Sequence, residues 1–286
     1  MNLGTARTAN EDQLTLREER MKEVSALDAS NRQQQKELAD LLLRENRFTE
    51  AISHLEKLVE AEPGEPQALA DLACTYQRVR DYGNAIGLFE RVLTANNLTP
   101  SERAVLYERL GYCRLMAQKK EEAVRAFENA ISLDTDSFRS YVGLGLCMTH
   151  AGRTEEARPF FEKAIFINPG CADAYNNLGM LAWSEGRIEE GLALFKRALE
   201  IDPVHRDALP NYLSMAFSLE LYEQAESLLR CYVNTIPDNP DLGCQLAYCH
   251  LKLGREQDAR KLLQDVLVAN PDHEDARALL EQCEEA

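Results

Sequence analysis

Residues 172–203 read ADAYNNLGMLAWSEGRIEEGLALFKRALEIDP, and the rest of the chain repeats the pattern of this stretch. Apolar and small residues, Gly179 among them, recur at helical spacing in its first half, which predicts an amphipathic helix. Gly186 interrupts the pattern and suits the left-handed backbone conformation that closes a helix. A second amphipathic helix follows, with Phe195 on its apolar side, and Pro203 ends it because proline cannot continue a helix. The stretch therefore predicts an antiparallel helical pair.

Copies of this pair recur along the chain with a nearly constant period. Successive members of one column of small residues lie 34, 38, 34, 34, 34 and 34 residues apart. A single pair leaves one apolar face unburied, so it is stable only when it stacks on further copies. The small column consists of Ala51, Ala85, Ala123, Ala157, Gly191, Ala225 and Ala259. A column of large apolar residues accompanies it at Leu55, Phe89, Phe127, Phe161, Phe195, Leu229 and Leu263.

These columns resemble the tetratricopeptide repeat, whose period is 34 residues. The resemblance covers residues 32–273 and implies an all-α fold, a right-handed α-solenoid superhelix of stacked antiparallel helical pairs. A C-terminal capping helix is expected at 274–286. Residues 1–31 form a charged N-terminal extension, for which partial disorder and a single helix both stay open. The seven expected repeats are 32–65, 66–99, 104–137, 138–171, 172–205, 206–239 and 240–273.

Four extra residues separate the second and third repeats. At this insertion, Thr99 at the end of the second repeat is suited to cap a helix, Pro100 to occupy its first position and Glu102 its third. We therefore expect the next helix to begin about one turn early. Because four residues are close to one helical turn, the helical phase of the stack is preserved.

The composition limits the classes of partner. The chain of 286 residues has 48 acidic and 32 basic residues, a formal net charge of −16. This balance argues against nucleic-acid recognition, which needs basic patches, and against adsorption to anionic membranes. It favours an apolar or basic protein segment. The apolar runs are too short to span a bilayer, and eight cysteines in a chain of this length, without a signal-like start, indicate free thiols in a reducing cytoplasm.

In tetratricopeptide repeat proteins the first helix of each pair lines a concave groove that holds a partner segment. The amides of Asn177 and Asn211 could pair with the main chain of a partner whatever its sequence, and Met180 and Trp183 offer an apolar, polarizable anchor surface. Two alternatives stay open: Trp183 packs on the next repeat, and the two asparagines are solvated helix residues. The groove is expected at Arg109, Tyr112, Met116, Leu146, His150, Asn177, Met180, Trp183, Asn211, Phe217 and Tyr248, with Asp173, Asp207 and Asp241 at its entrance.

Some members of the family clamp the C-terminal carboxylate of a chaperone with lysines, an arginine and two asparagines. Lys36 and Arg109 match that pattern. Asp40 and Asp71 stand where the asparagines are required, and Val105 replaces a lysine. Because two carboxylates would repel the carboxylate of the ligand, this activity is disfavoured.

Catalytic and metal sites are not predicted. Cys244, Cys249 and His250 are of the types that bind zinc, but side chains five residues apart on a helix point roughly 140° away from each other. The other histidines fall in separate repeats without a partner for a catalytic triad. No catalytic residue, cofactor or metal ligand is therefore assigned.

The sequence thus favours a non-enzymatic interaction scaffold, an adaptor or chaperone-like protein that holds an extended or helical segment of a protein partner. Two alternatives stay open. One is a structural scaffold that assembles with copies of itself into a homo-oligomer. The other is a regulatory or targeting subunit of an enzyme complex. Neither nucleic acid nor membrane insertion is expected for any of them.

Overall fold

The computed structural model of the protein describes residues 32–235 and 239–285. These residues form helices without any strand, so the predicted all-α fold is confirmed. The predicted N-terminal extension at 1–31 lies outside the described residues. Contacts divide the chain into an N-terminal unit that ends at Ile167 and a C-terminal unit that begins at Asn168. One continuous stack of seven repeats across both units stays a prediction.

The N-terminal unit consists of four helical pairs in which each helix packs against the next along the chain. The capping box at the start of its longest helix is formed as predicted, because the Thr99 hydroxyl accepts from the Glu102 backbone N–H and the Glu102 carboxylate accepts from that of Thr99. The helices are α1 (Arg32–Arg44), α2 (Phe48–Ala61), α3 (Pro66–Arg78), α4 (Tyr82–Leu93), α5 (Pro100–Met116), α6 (Lys120–Leu133), α7 (Phe138–His150) and α8 (Thr154–Ile167).

The C-terminal unit consists of three helical pairs and a last single helix. Consecutive helices again pack on one another, and the first helix of the unit also touches the first helix of the following pair. The helices are α9 (Ala172–Ser184), α10 (Ile188–Ile201), α11 (Ala208–Ser218), α12 (Tyr222–Thr235), α13 (Pro240–Lys252), α14 (Glu256–Ala269) and α15 (Glu274–Glu285).

The turn within each pair has three residues, which makes paired helices antiparallel. Its middle residue has a left-handed backbone conformation in every pair, with φ between 56° and 74°. Gly186 adopts this conformation as predicted, with φ of 74°. Glycine occupies the position in three pairs and a residue with a side chain in four. The seven residues are Asn46, Arg80, Gln118, Gly152, Gly186, Glu220 and Gly254.

The repeating columns form the cores of the two units. Every member of the small column is buried, and every member of the large column is at most 2% exposed. Phe195 of α10 packs where Gly179 of α9 leaves room, since a β-carbon on Gly179 would lie 2.7 Å from the ring. The helices of a pair therefore approach closely because a small residue faces a large one. None of the described helices has both the length and the apolar character needed to cross a membrane.

Candidate functional site

The predicted groove residues are divided between the two compact units. Arg109, Tyr112 and Met116 lie on α5, and Leu146 and His150 lie on α7, all in the N-terminal unit. The other six lie on the first helices of the three pairs of the C-terminal unit, which is therefore the richer candidate. They are Asn177, Met180 and Trp183 on α9, Asn211 and Phe217 on α11, and Tyr248 on α13.

On α9 three of these residues follow one another at a spacing of three, which places them on the same side of the helix. Met180 is 40% exposed although it is fully apolar. Trp183 is half-buried and packs against the core of the C-terminal unit, as do Phe217 and Leu192. Trp183 thus contributes to packing and stays partly exposed. The side of α9 carries an apolar strip that is only partly covered.

The two asparagines have different environments. Asn177 Nδ2 donates to the Asp173 carbonyl oxygen one turn earlier on α9, at 2.7 Å. Asn211 Nδ2 instead donates to the side-chain Oδ1 of Asn176, at 2.9 Å, and so joins α11 to α9. Asn176 is only 6% exposed. The two amides, predicted to be equivalent, are therefore different: Asn177 bonds within its own helix, whereas Asn211 bonds to the neighbouring repeat.

Asn176 was not among the predicted residues, and a weak signal could have found it. It is the only buried asparagine among the described residues, and a buried amide needs a partner. The residue 35 positions later is Asn211, close to the repeat period. A polar residue on the core side of one first helix and an asparagine nearly one period later together indicate a bond between helices.

An aromatic group joins α11, α12 and α13. The ring centroids of Phe217 and Tyr248 lie 5.4 Å apart, those of Tyr222 and Tyr248 6.1 Å and those of Phe217 and Tyr222 6.3 Å. The ammonium group of Lys252 lies 5.3 Å from the centroid of the Tyr248 ring. Phe217 and Tyr248 were predicted site residues, whereas Tyr222 begins a second helix and was missed. We call Phe217, Tyr222 and Tyr248 the aromatic group.

Two of the three acidic residues expected at the groove entrance are paired with histidines. Asp173 Oδ1 lies 3.2 Å from His205 Nε2, and Asp241 Oδ1 lies 3.1 Å from His273 Nε2. The other ring nitrogen of His205 accepts from the backbone N–H of Ala208 and so caps α11. These carboxylates therefore orient histidines at helix starts and are less available to a partner than their exposure indicates.

A buried carboxylate lies between the last two full pairs. Glu226 is 6% exposed, and its Oε1 is 2.6 Å from Arg255 Nη1 and 2.7 Å from Arg230 Nη2. His250 Nε2 lies 3.2 Å from the same oxygen, but within the described part of the chain neither ring nitrogen of His250 makes a contact with hydrogen-bond geometry. Two guanidinium groups thus neutralise a charge that burial would otherwise make costly. The cluster joins α12 to the start of α14.

In the N-terminal unit the predicted residues are more dispersed. Arg109 and His150 are exposed, and Met116 and Leu146 are half-buried. Tyr112 is 39% exposed and packs edge-on against Tyr82 with the ring centroids 6.3 Å apart. The backbone carbonyl of His150 accepts from Lys120 Nζ. These residues form no continuous apolar strip like that on α9.

Most of the described cysteines are buried, whereas Cys74 is half-buried and Cys231 is exposed. Cys113 and Cys249 are fully buried, and burial raises the pKa of each thiol from 9.0 to about 12. Such thiols stay protonated and are poor nucleophiles and metal ligands. Among the described residues, no group of three or more histidine, cysteine, aspartate or glutamate side chains could hold a metal ion.

Known proteins resemble this chain in sequence and in fold. Models of the tetratricopeptide repeat match residues 36–73 and 110–170, 68–104, 172–205 and 216–283. Together these matches span well over half of the chain. Among the curated proteins, no match to this chain is found.

Three solved structures illustrate the likeness in fold. A crystal structure of a MamA protein is 27% identical and covers 62% of this chain and 94% of its own, with a TM-score of 0.50. The C-terminal part of a TPR repeat-containing protein from Cytophaga hutchinsonii is 18% identical and covers 85% and 98%, with a TM-score of 0.56. MamA from Desulfovibrio magneticus RS-1, from residue 41 to its end, is 19% identical and covers 62% and 98%, with a TM-score of 0.51. The last two show the fold alone.

Proposed function

Because the chain belongs to the tetratricopeptide repeat family, whose fold is that of a protein-interaction scaffold, we propose that its C-terminal unit holds a segment of a protein partner. The segment, extended or helical, lies along the first helices α9, α11 and α13. We call the side of these helices that carries Asn177, Met180, Trp183, Phe217 and Tyr248 the groove surface. The observation that carries the proposal is its partly exposed apolar strip, with Met180 at 40% exposure beside half-buried aromatic rings.

The chemistry of the groove surface favours a particular kind of segment. Met180 and Trp183 provide polarizable apolar area, which suits an anchoring apolar side chain of the partner. Asn177 uses its amide N–H on its own helix, so its Oδ1 can accept from a main-chain N–H of the partner. Residues 168–286 include 21 acidic and 10 basic residues, a net charge of −11. A segment with apolar anchors and basic flanking residues therefore complements this surface.

The proposal is tested by affinity capture from the extract of the native cell, followed by mass spectrometry of the retained proteins. Met180→Asp places a charge in the apolar strip at an already exposed position, so it should abolish retention of the partner without unfolding the chain. Val268→Asp is the matched control, because it adds the same charge to the same unit on α14, where Val268 is 83% exposed. A partner retained by the wild type and by Val268→Asp but lost with Met180→Asp supports the groove surface.

Other results would contradict the proposal. Equal retention by all three proteins would place the interaction elsewhere on the chain. Recovery of the protein itself, with an apparent mass that grows with concentration in sedimentation, would favour the self-assembling scaffold. Trp183→Ala with Asn177→Ala is a second test of the groove surface, read together with a melting curve because Trp183 also packs on the core.

A further inference from the structure

The aromatic group of the C-terminal unit already has a cation against it. The Lys252 ammonium lies 5.3 Å from the centroid of the Tyr248 ring, within the range of a cation–π contact. Lys252 is the last residue of α13, four residues after Tyr248, and is itself exposed. Its flexible side chain is held by one ring face and by no salt bridge that the described residues show. Another cation could therefore replace it.

The surroundings of the rings also favour a positive charge. Tyr222 and Tyr248 meet edge to face, at an angle of 74° and with ring centroids 6.1 Å apart. Burial, the Tyr248 hydroxyl and the Glu220 carboxylate raise the pKa of Tyr222, so Glu220 acts on this position electrostatically. Glu220 and Glu223 are both exposed on either side of Tyr222. The rings offer their negative faces, and the neighbouring carboxylates offer further attraction.

A second pair of tyrosines in the N-terminal unit provides an internal comparison. Tyr82 and Tyr222 are each the first residue of the second helix of a pair. Tyr112 and Tyr248 lie on the first helix of the following pair, each four residues before its end. Both pairs pack at 74°, with centroids 6.3 Å and 6.1 Å apart. Gln77 of the N-terminal unit occupies the position equivalent to Phe217, and Met116 occupies the position equivalent to Lys252.

The same tyrosine packing thus occurs twice, but among the residues that the structure describes a third ring and a cation over a ring face accompany it only in the C-terminal unit. The tyrosine pair alone serves helix packing in both units. Helix packing does not require the additional ring and the cation, so they indicate a further role for the C-terminal pair. They occur in the unit whose first helices carry the apolar strip.

We propose that the aromatic group Phe217, Tyr222 and Tyr248 binds a lysine or arginine side chain of the partner segment, which displaces Lys252 from the face of Tyr248. This inference rests on the proposed function, since it names the chemistry of the segment that the groove surface holds. Lys252 acts as an internal competitor that occupies the ring until a partner cation arrives. The net charge of −11 in this part of the chain attracts the same kind of segment.

The test uses the full chain labelled with 3-fluorotyrosine, and fluorine NMR follows the tyrosine resonances during titration with n-butylguanidinium and with n-butylammonium. Replacing Tyr82, Tyr112, Tyr222 or Tyr248 by phenylalanine assigns each resonance. Neutral N-butylurea is the matched probe, because it has a similar shape without the charge. We expect both cations to shift Tyr222 and Tyr248 saturably, with an affinity roughly fivefold above that of the urea. The Tyr82 and Tyr112 resonances should respond more weakly.

Lys252→Gln separates competition from simple packing. If Lys252 competes for the ring, its removal should strengthen binding of both cations by about threefold, whereas a supporting lysine would give weaker binding when removed. Tyr248→Leu should abolish the shift of Tyr222; if this variant melts early, the Lys252→Gln comparison decides alone. Equal shifts with N-butylurea, no saturable shift with either cation, or unchanged affinity in Lys252→Gln would overturn the inference.

The outcome is independent of the capture experiment. If the cations bind but Met180→Asp retains every partner, the groove proposal fails and the cation site stands. If Met180→Asp loses a partner but the cations do not bind, the groove surface stands and the inference fails. If both succeed, replacing the basic residues of the captured segment one at a time by norleucine should identify one whose loss weakens binding roughly fivefold.

Discussion

Gly179 of α9 faces the ring of Phe195 of α10 so closely that a β-carbon on Gly179 would lie 2.7 Å from two ring carbons. Phe195 is fully buried and belongs to the core of the C-terminal unit. Ala198 and Leu199, about one turn later on α10, belong to the same buried core. The absence of a side chain at Gly179 therefore sets the distance between the two helices of this pair.

Gly179→Ala should lower the free energy of unfolding by about 1–2 kcal/mol. The added methyl group forces the packed ring or the helices apart, and this cost exceeds the gain in helix propensity. Gly87→Ala is the control, because Gly87 lies in α4 with no atom within 4 Å of an added β-carbon. It should raise the free energy of unfolding by about 0.5–1 kcal/mol. Urea denaturation followed by circular dichroism measures both; destabilisation of the same size in the two variants would contradict the packing argument.

The turns within the pairs lead to a second prediction. Gln118 and Gly152 occupy equivalent turns of the N-terminal unit, with φ of 62° and 73°. Gln118→Gly should raise the free energy of unfolding by about 0.5–1 kcal/mol, because glycine removes the strain of a side chain in the left-handed region. Gly152→Ala should lower it by about 1 kcal/mol, although nothing lies within 4 Å of the new β-carbon. Thermal melts of both variants test the opposite signs, and a shift in the same direction would refute this explanation.

Asn177 of the groove surface and Asn211 of α11 should separate binding from stability. Asn211→Ala removes the donor to the buried Asn176 Oδ1 and should cost about 1–3 kcal/mol of unfolding free energy. Asn177→Ala breaks only a bond within α9 and should change it by less than about 0.5 kcal/mol. In affinity capture, Asn177→Ala should weaken retention of the partner. A large loss of stability in Asn177→Ala would show that it is a structural residue.

Much of the fold is predictable because packing repeats with the period of the sequence. Gly179 opposite Phe195 and the capping box of Thr99 and Glu102 depend on residues that are close in sequence or one helix apart, so their spacing indicates their contacts. The bond between Asn176 and Asn211 and the role of Tyr222 depend on how one pair is placed on the next. That placement is set by side-chain volumes along a whole interface, which a column of similar residues does not reveal.

The acidic entrance shows the same difference between composition and geometry. From the sequence, Asp173 and Asp241 are carboxylates at equivalent places that face a partner. In the structure each carboxylate accepts from a histidine at the start of a later helix, and His205 in turn caps α11. Residue type and period indicate where the Asp173 carboxylate lies. Its pairing with a histidine 32 residues later depends on the path of the connecting turn, which the period does not give.

The buried thiols should make the protein less stable in alkali. Burial raises the pKa of Cys113 and Cys249 from 9.0 to about 12, and that of Cys147 and Cys244 to about 11. Between pH 9.0 and the raised pKa values, these thiols keep their protons in the folded chain and lose them in the unfolded chain. The folded chain therefore binds more protons than the unfolded chain. The free energy of unfolding should therefore be highest below pH 9.0 and fall as the pH rises towards 11 and 12.

Urea denaturation at a series of pH values on both sides of 9.0 measures this dependence. Tyrosines with a raised pKa, such as Tyr76 at about 12, contribute a decline of the same sign, so one thiol must be isolated. Cys249→Ala removes a single buried thiol at a small cost in volume and should make the decline above pH 9.0 less steep than in the wild type. Ser214→Ala is the control, because Ser214 is exposed on α11 and its hydroxyl does not ionise in this pH range, so its removal should leave the steepness unchanged. The same slope in wild type and Cys249→Ala would mean that this thiol ionises as readily in the folded chain as in the unfolded one, and its burial in the core would then be incorrect.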